Sequence, residues 1–446
     1  MNAPWRALAL SVLGAVAAAG AWQSPSADRQ LFRNARLIDG DGRVVGDRVA
    51  LLVERGRVSA VDLANRARDD AAIVDLQGRT VMPGLVNAHG HVADTMGLQT
   101  GRQFYTEANV LAQLDRYASY GVTTVMSLGG DGDAGFEIRR RQLAGMGGSI
   151  SAAALDRETA RLFVAGPVIT ATTPDAAARD VDRVAAMKPD MIKIRVDDNL
   201  GTTSRMPLEA AAAVITQAHA RGLRVAAHIF SLDDAKALLR AGVDVIAHSV
   251  RDRPVDEELI ALLKSRGVCV SPTLMREVST FVYESEPDFF ADPFFLRSAD
   301  SSVLAALRDP TRQAQVRNSK SAQRYKAGLE IAMANVKRLS DAGVSIAAGT
   351  DSGPPGRFQG YFEHLELELM AKAGMEPRAV LASATGVAAS CLAGPKAGAN
   401  APLRRVGYLR PGDWADFVVL DGDPLADVRN TRTIESVWIG GRRVGQ

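Results

Sequence analysis

The feature that most constrains this chain is a repeated alternation of period. From Gly121 onward, a short β-branched run opened by Gly or Pro, a polar loop and an Ala/Leu-rich helical stretch of about a dozen residues recur in order. Strand candidates lie at 81–89, 121–128, 162–170, 190–196, 223–230, 243–250, 267–274 and 344–350. Eight βα units over roughly 300 residues predict a closed (β/α)8 TIM barrel. An open doubly wound sheet fits less well, because no Gly-rich phosphate turn follows the first strand.

The flanks have period two, in LFRNARLIDG, RVALLVERGRVSAVDL and AAIVDLQGRT at one end and in ADFVVLDGDP and IESVWIGGRRV at the other. Neither flank can bury a core alone. The expectation is an α/β protein whose barrel, residues 81–395, is inserted in a small β-sandwich built from 22–80 and 396–446. Before these lies MNAPWRALALSVLGAVAAAGA, with Arg6, an apolar run from Ala7 to about Ala19 and small residues at Ala19 and Ala21. This reads as a signal peptide over 1–21, which predicts a periplasmic or secreted protein. The run is short for a spanning helix, so no stable membrane span is expected after cleavage.

Composition excludes more than it assigns. The chain is 47% hydrophobic and 23% charged with a net charge of +2, an ordinary globular balance with no field to gather nucleic acid. Charge by itself assigns no partner; a small-molecule substrate is the expectation, and a homo-oligomer is compatible with the sequence. Cys269 and Cys391 are expected to be free, buried thiols, one in a strand and one in an Ala-rich helix. Between the last two strands, residues 275–343 carry Phe281, Tyr283, Phe289, Phe290, Phe294 and Phe295. A connection this long either packs as a helical excursion around its own aromatic core or serves as a substrate lid.

Of six histidines, His89, His91, His228 and His248 fall at the C-terminal ends of strands. His89 and His91 project to the same side about 6 to 7 Å apart, because side chains alternate along a strand. Neutral imidazoles so placed suit Zn²⁺ or a similar cation. Asp351 follows the eighth strand in AAGTDSG, and Lys193 interrupts the apolar fourth. In a barrel these strand ends converge on one mouth. Lys193 is either a lysine whose head reaches water or an amine converted by CO₂ to an anionic carbamate that bridges two cations. Arg251 could pair with a substrate carboxylate or form a surface ion pair. Ser271 and Thr273 could line the mouth, while His219 and His364 read as helix-surface or interhelical residues.

Taken together, VMPGLVNAHGHV, the lysine in DMIKI, the histidines in VAAHIF and VIAHS, the aspartate in AAGTDSG and the closing GYLRPGDWADFVVLDGDPLAD resemble the metal-dependent amidohydrolase superfamily. The likeness covers essentially all of the chain after residue 21 and is greatest to imidazolonepropionase-like and carboxylated-lysine Xaa-Pro dipeptidase-type enzymes. It implies a binuclear site, with His89, His91, Lys193 and Asp351 on one metal and His228, His248 and the carbamate of N6-carboxylysine 193 on the other. Zn²⁺ leads, with Mn²⁺, Co²⁺ or Fe²⁺ as alternatives. The implied activity is hydrolysis of a C–N bond by metal-activated hydroxide, with Asp351 as catalytic base and acid. Dipeptidase relatives often carry a tyrosine two residues after the fifth-strand histidine, where this chain has Phe230 at the substrate. Rival readings are a mononuclear imidazolonepropionase- or deaminase-like enzyme, a lactonase or esterase, and a non-catalytic binding protein.

Overall fold

The computed structural model describes residues 29–66, 70–92, 94–145 and 159–445. The leader expected over 1–21 lies outside them. No helix among the described residues is long and apolar enough to cross a membrane.

The first predicted strand splits at Gly84. Thr80–Pro83 pairs antiparallel with Phe417–Leu420, whereas Leu85–Gly90 pairs parallel with Val122–Ser127. A Cβ at position 84 would lie 2.2 Å from the Thr123 side chain, so only glycine lets the chain cross there from one sheet to the next. Leu85–Gly90, Val122–Ser127 and Arg161–Val164 form a three-stranded parallel sheet. Ile192–Arg195, Val225–His228, Val245–Ala247 and Cys269–Ser271 form a four-stranded one. Their side chains are almost all buried, as expected where helices cover parallel strands.

The eighth candidate, 344–350, is not a continuous strand. It makes one isolated bridge, Val270↔Ile346, yet hydrogen-bonds on both sides, from Ala347 N to Val270 O at 2.9 Å and from Ala88 N to Ala348 O at 2.8 Å. Gly349 is squeezed there, since a Cβ would meet Ser271 Oγ at 2.3 Å and His89 Cβ at 2.7 Å. The ladders therefore read as two parallel sheets rather than one closed eight-stranded ring.

Local chemistry sets the intervening helices. Ser231 caps Leu232–Ala241 and Asp256 caps Glu257–Arg266, while Gly242 and Gly267 end them in left-handed conformations. Both chain ends enter a single eight-stranded sheet, in which Thr80–Pro83 lies between Arg29–Ile38 and Phe417–Leu420. Its hydrogen bonding is continuous from edge to edge, so two facing sheets of a sandwich are not distinguished. Phe32 packs edge-on against Phe417 and Trp438, with centroids 5.0 and 4.7 Å away.

The two cysteines correct the expectation of free thiols. Cys269 and Cys391 form a disulfide across 122 residues, with their Cα atoms 6.0 Å apart. Spacing alone could not show this, because the closeness arises only when the last helices pack back under the sheet. The 275–343 excursion is helical and buries its own aromatics. Phe290 stacks on Phe295 at 5.7 Å, and Phe289 meets both of them and Tyr361.

Candidate functional site

All six side chains singled out as ligands, His89, His91, Lys193, His228, His248 and Asp351, line one cavity of about 430 Å³. Strand register brings them there. Arg195 pairs with His228 and Ala247 with Ser271, so the strands end level and the residues just beyond them share a rim. His89, His91 and Asp351 offer ligand atoms that all lie within 4.8 Å of one another.

Hydrogen bonds set the tautomers. His91 Nδ1 lies 2.9 Å from Gly129 O and must donate to it, because a carbonyl only accepts. Its Nε2 then faces Asp351 Oδ1 at 2.7 Å. His228 Nε2 lies 3.0 Å from Asp197 Oδ2 and donates to that carboxylate, leaving Nδ1 free. His248 Nδ1 lies 2.6 Å from Thr273 Oγ1. The His228 and His248 rings are 4.0 Å apart, and His248 is 4.7 Å from His89. His89 Nε2 sits 3.3 Å from Lys193 Nζ and 3.5 Å from Asp351 Oδ1, while its Nδ1 is buried with no hydrogen-bond partner.

Burial keeps these groups neutral where neutrality suits a ligand. It drives His89 and His248 well below the ordinary imidazole range and takes His228 to about 3 against the pull of Asp197. Burial also lowers the Lys193 ammonium to about 7, with Asp351 opposing. For Asp351 burial acts upward, but Arg357 and His91 outweigh it and hold the carboxyl well below its usual range. The donor set fits divalent cations: buried neutral imidazoles, an ionised carboxylate and a buried amine meet in one cavity.

The two candidate substrate contacts stand elsewhere. Arg251 is neither a surface ion pair nor part of the cavity wall. It is buried, with Nε 3.0 Å from Glu277 Oε1 and Nη1 donating to Ile229 O and Ser249 O. Phe230 lies under that guanidinium, 4.7 Å from ring centre to charge, and is also off the wall. Both follow strand residues whose neighbours point into the cavity, but the chain has turned by then. The excursion's aromatics are absent from the wall as well. Of the helical histidines, His219 is exposed and paired with Asp244, while His364 is buried between Thr431 and the carbonyl of Tyr120.

Several residues were not legible beforehand. Asp197 orients His228, Arg357 pairs with Asp351 Oδ2, and Arg195, Arg276 and Asn199 also line the cavity. Arg276 is buried beside Glu277, its Nη2 3.1 Å from Asn199 Oδ1, and its guanidinium stacks 4.2 Å from the Tyr325 ring centre. For Arg195 a signal existed. It is two residues past Lys193, hence on the same side of the strand.

The sequence pattern of the Amidohydrolase family matches residues 80–444. An uncharacterized protein of Mycobacterium tuberculosis is 28% identical over 313 residues, covering 68% of this chain and 71% of its own. The imidazolonepropionase of Streptomyces avermitilis is 25% identical over 455 residues, covering 94% of this chain and 93% of its own. Among solved structures, a Xaa-Pro dipeptidase with bound methionine in the active site superposes with a TM-score of 0.71 at 20% identity. It covers 93% of this chain and 99% of that one.

Proposed function

Because the chain belongs to the amidohydrolase family and is a hydrolase of C–N bonds, we propose that it is an exported, metal-dependent enzyme cleaving the amide-type bond of a small molecule that bears an acidic group. The observation that carries this reading is the meeting of all six side chains on one cavity, with ligand atoms of His89, His91 and Asp351 within 4.8 Å of one another. In this reading the two parallel sheets and the 344–350 segment act as one (β/α)8 barrel, flanked by the sheet of the chain ends as its small sandwich.

His89, His91, Lys193 and Asp351 would hold one divalent cation and His228, His248 and Lys193 a second, with zinc the first choice. Such cations supply Lewis acidity, easing deprotonation of water and polarising the scissile carbonyl. Lys193 suits carboxylation, since its buried Nζ has an imidazole, not an acid, at hydrogen-bond distance. Addition of CO₂ to the neutral amine forms an N–C bond, releases the one proton that nitrogen gives up and leaves an anion with two oxygens. Asp351 takes the proton of the attacking water on Oδ1 and returns it to the leaving amine nitrogen, while Arg357 holds its other oxygen. Arg195 and Arg276, which line the same cavity, complement a carboxylate of the substrate through their planar forks. They take the role that sequence reading offered to Arg251.

Export rests on the leader pattern of residues 1–21, and the Cys269–Cys391 disulfide suits an oxidising compartment. A mononuclear, imidazolonepropionase-like site is the second reading, favoured by the close grouping of His89, His91 and Asp351 alone. Metal analysis combined with hydrolysis of matched N-acyl amino acids, dipeptides, their carboxamides and lactones decides between them. Two metals per chain, loss of the second in Lys193→Ala, and a drop of about 10² to 10⁴ in kcat for Asp351→Asn are expected. Carboxylates should be preferred over carboxamides. One metal unaffected by Lys193→Ala supports the mononuclear site, and equal turnover of carboxamides removes the acidic-group preference.

A further inference from the structure

The cavity stands on two buried carboxylates that belong to neither its wall nor its proposed chemistry. Both come from the helix Tyr361–Lys372 and, three residues apart, share one face of it. Glu363 Oε1 accepts three hydrogen bonds, from Asn87 Nδ2 at 2.6 Å, Thr350 Oγ1 at 2.7 Å and Ser352 Oγ at 2.6 Å. Thr350 and Ser352 flank Asp351, and Asn87 Oδ1 in turn accepts the backbone N–H of His89 at 2.9 Å. Glu366 accepts the backbone N–H groups of Leu274 at 2.8 Å and Met275 at 2.7 Å. These follow Thr273, whose hydroxyl meets His248 Nδ1.

The backbone around the segments so held is strained, as it is at seven other non-glycine positions among the described residues. Asp351, His248 and Thr273 have φ of 57°, 74° and 52°, in the left-handed region. A non-glycine residue there costs roughly 1 to 3 kcal/mol and persists only where its surroundings over-determine it. Neither glutamate has an Arg or Lys partner among the described residues, and each is at most 5% exposed. Two acids buried without cations are unfavourable unless their oxygens are satisfied by donors that need them. Here Glu363 Oε1 and both Glu366 oxygens take their donors from the residues beside Asp351, His89 and Thr273, while Glu363 Oε2 is buried without a partner.

We propose that Glu363 and Glu366 are positioning residues: Glu363 clamps the Asp351 and His89 half of the centre, and Glu366 clamps the turn that orients His248. The inference rests on the metal-centre reading above. Each glutamate keeps a strained backbone in place before any cation arrives, so the ligand atoms do not have to be ordered upon binding.

The test uses Glu363→Met and Glu366→Met, which keep side-chain length and remove the acceptor, with Glu363→Gln as the conservative control. Zinc affinity is read by chelator competition, alongside kcat, KM and the melting temperature of the metal-free chain. The Met variants should bind zinc at least tenfold more weakly and lose at least tenfold in kcat with KM within threefold, while the metal-free melting temperature holds or rises. Glu363→Gln, which keeps one acceptor oxygen, should recover part of the loss. Should a Met variant fail to fold, Thr350→Val removes a single donor and should show the same pattern more weakly. Folded variants with wild-type zinc affinity and kcat overturn the inference alone. A wild-type chain that holds no divalent metal overturns the metal reading and the inference with it.

Discussion

At the scale of single residues, burial holds His89, His228 and His248 below the ordinary imidazole range, and His364 shows the same consequence outside the cavity. Its Nδ1 meets Thr431 Oγ1 and its Nε2 the carbonyl of Tyr120, each at 2.9 Å. Burial is the main cause that takes its pKa to about 3, with the nearby Arg432 and Arg297 adding to it and Tyr120 and Asp292 opposing. An unfolded histidine titrates near 6.5. Between these values the unfolded chain binds a proton that the folded one refuses. The stability this residue contributes is thus fully present above about pH 6.5 and falls by about 1.4 kcal/mol per unit as the pH drops toward 3. Urea midpoints measured at pH 7 and pH 5 should therefore diverge less in His364→Gln than in the wild type. An unchanged gap would show that His364 accepts its proton in the folded state. The strand-end histidines were legible because alternation and spacing expose them. Asp197, Arg276 and Glu363 were not, since each acquires its role from a partner on another element.

At the scale of elements, the excursion between the last strands settles a choice that sequence left open. Tyr283, Phe289, Phe290, Phe294 and Phe295 pack into one core with Tyr120, Tyr361 and Phe362, and none of them lines the cavity. The Phe290 side chain is 2% exposed and touches Tyr283, Phe289 and Phe295. Phe290→Ala should cost about 3 to 5 kcal/mol, as large-to-small changes in aromatic cores do. Ratios of kcat/KM between acidic and neutral amides should stay the same. A shifted preference with unchanged stability would restore the lid. Three guanidinium groups, of Arg195, Arg276 and Arg357, line the cavity instead, since aromatic rings bury more area against one another than against a polar cavity.

For the whole molecule, the disulfide is the covalent tie between the parallel strands and the final helices. Closing 122 residues removes much of the unfolded chain's freedom. In the chain-entropy view a loop of about 100 residues is worth about 4.7 kcal/mol, with measured losses of about 2 to 5. The double variant Cys269→Ala/Cys391→Ala should lower the denaturation midpoint by a corresponding amount while metal content stays at the wild-type level. Loss of metal at full stability would instead tie the bridge to the site. The end sheet shows the same dependence on distance: Thr80–Pro83 finds Phe417–Leu420 across more than 300 positions, and the buried Arg161–Asp416 pair joins that sheet to the parallel strands.

By itself the sequence determined what is periodic and local: the βα alternation, the two-residue spacing of His89 and His91, and the likeness carried by six ordered motifs. These depend on interactions along a few consecutive residues, which any reader of the chain can follow. Tertiary structure alone decided which groups meet. It paired Cys269 with Cys391, turned Arg251 into the interior and Arg276 onto the cavity, and set Glu363 and Glu366 beneath it, because contacts between distant segments exist only once the whole chain has packed.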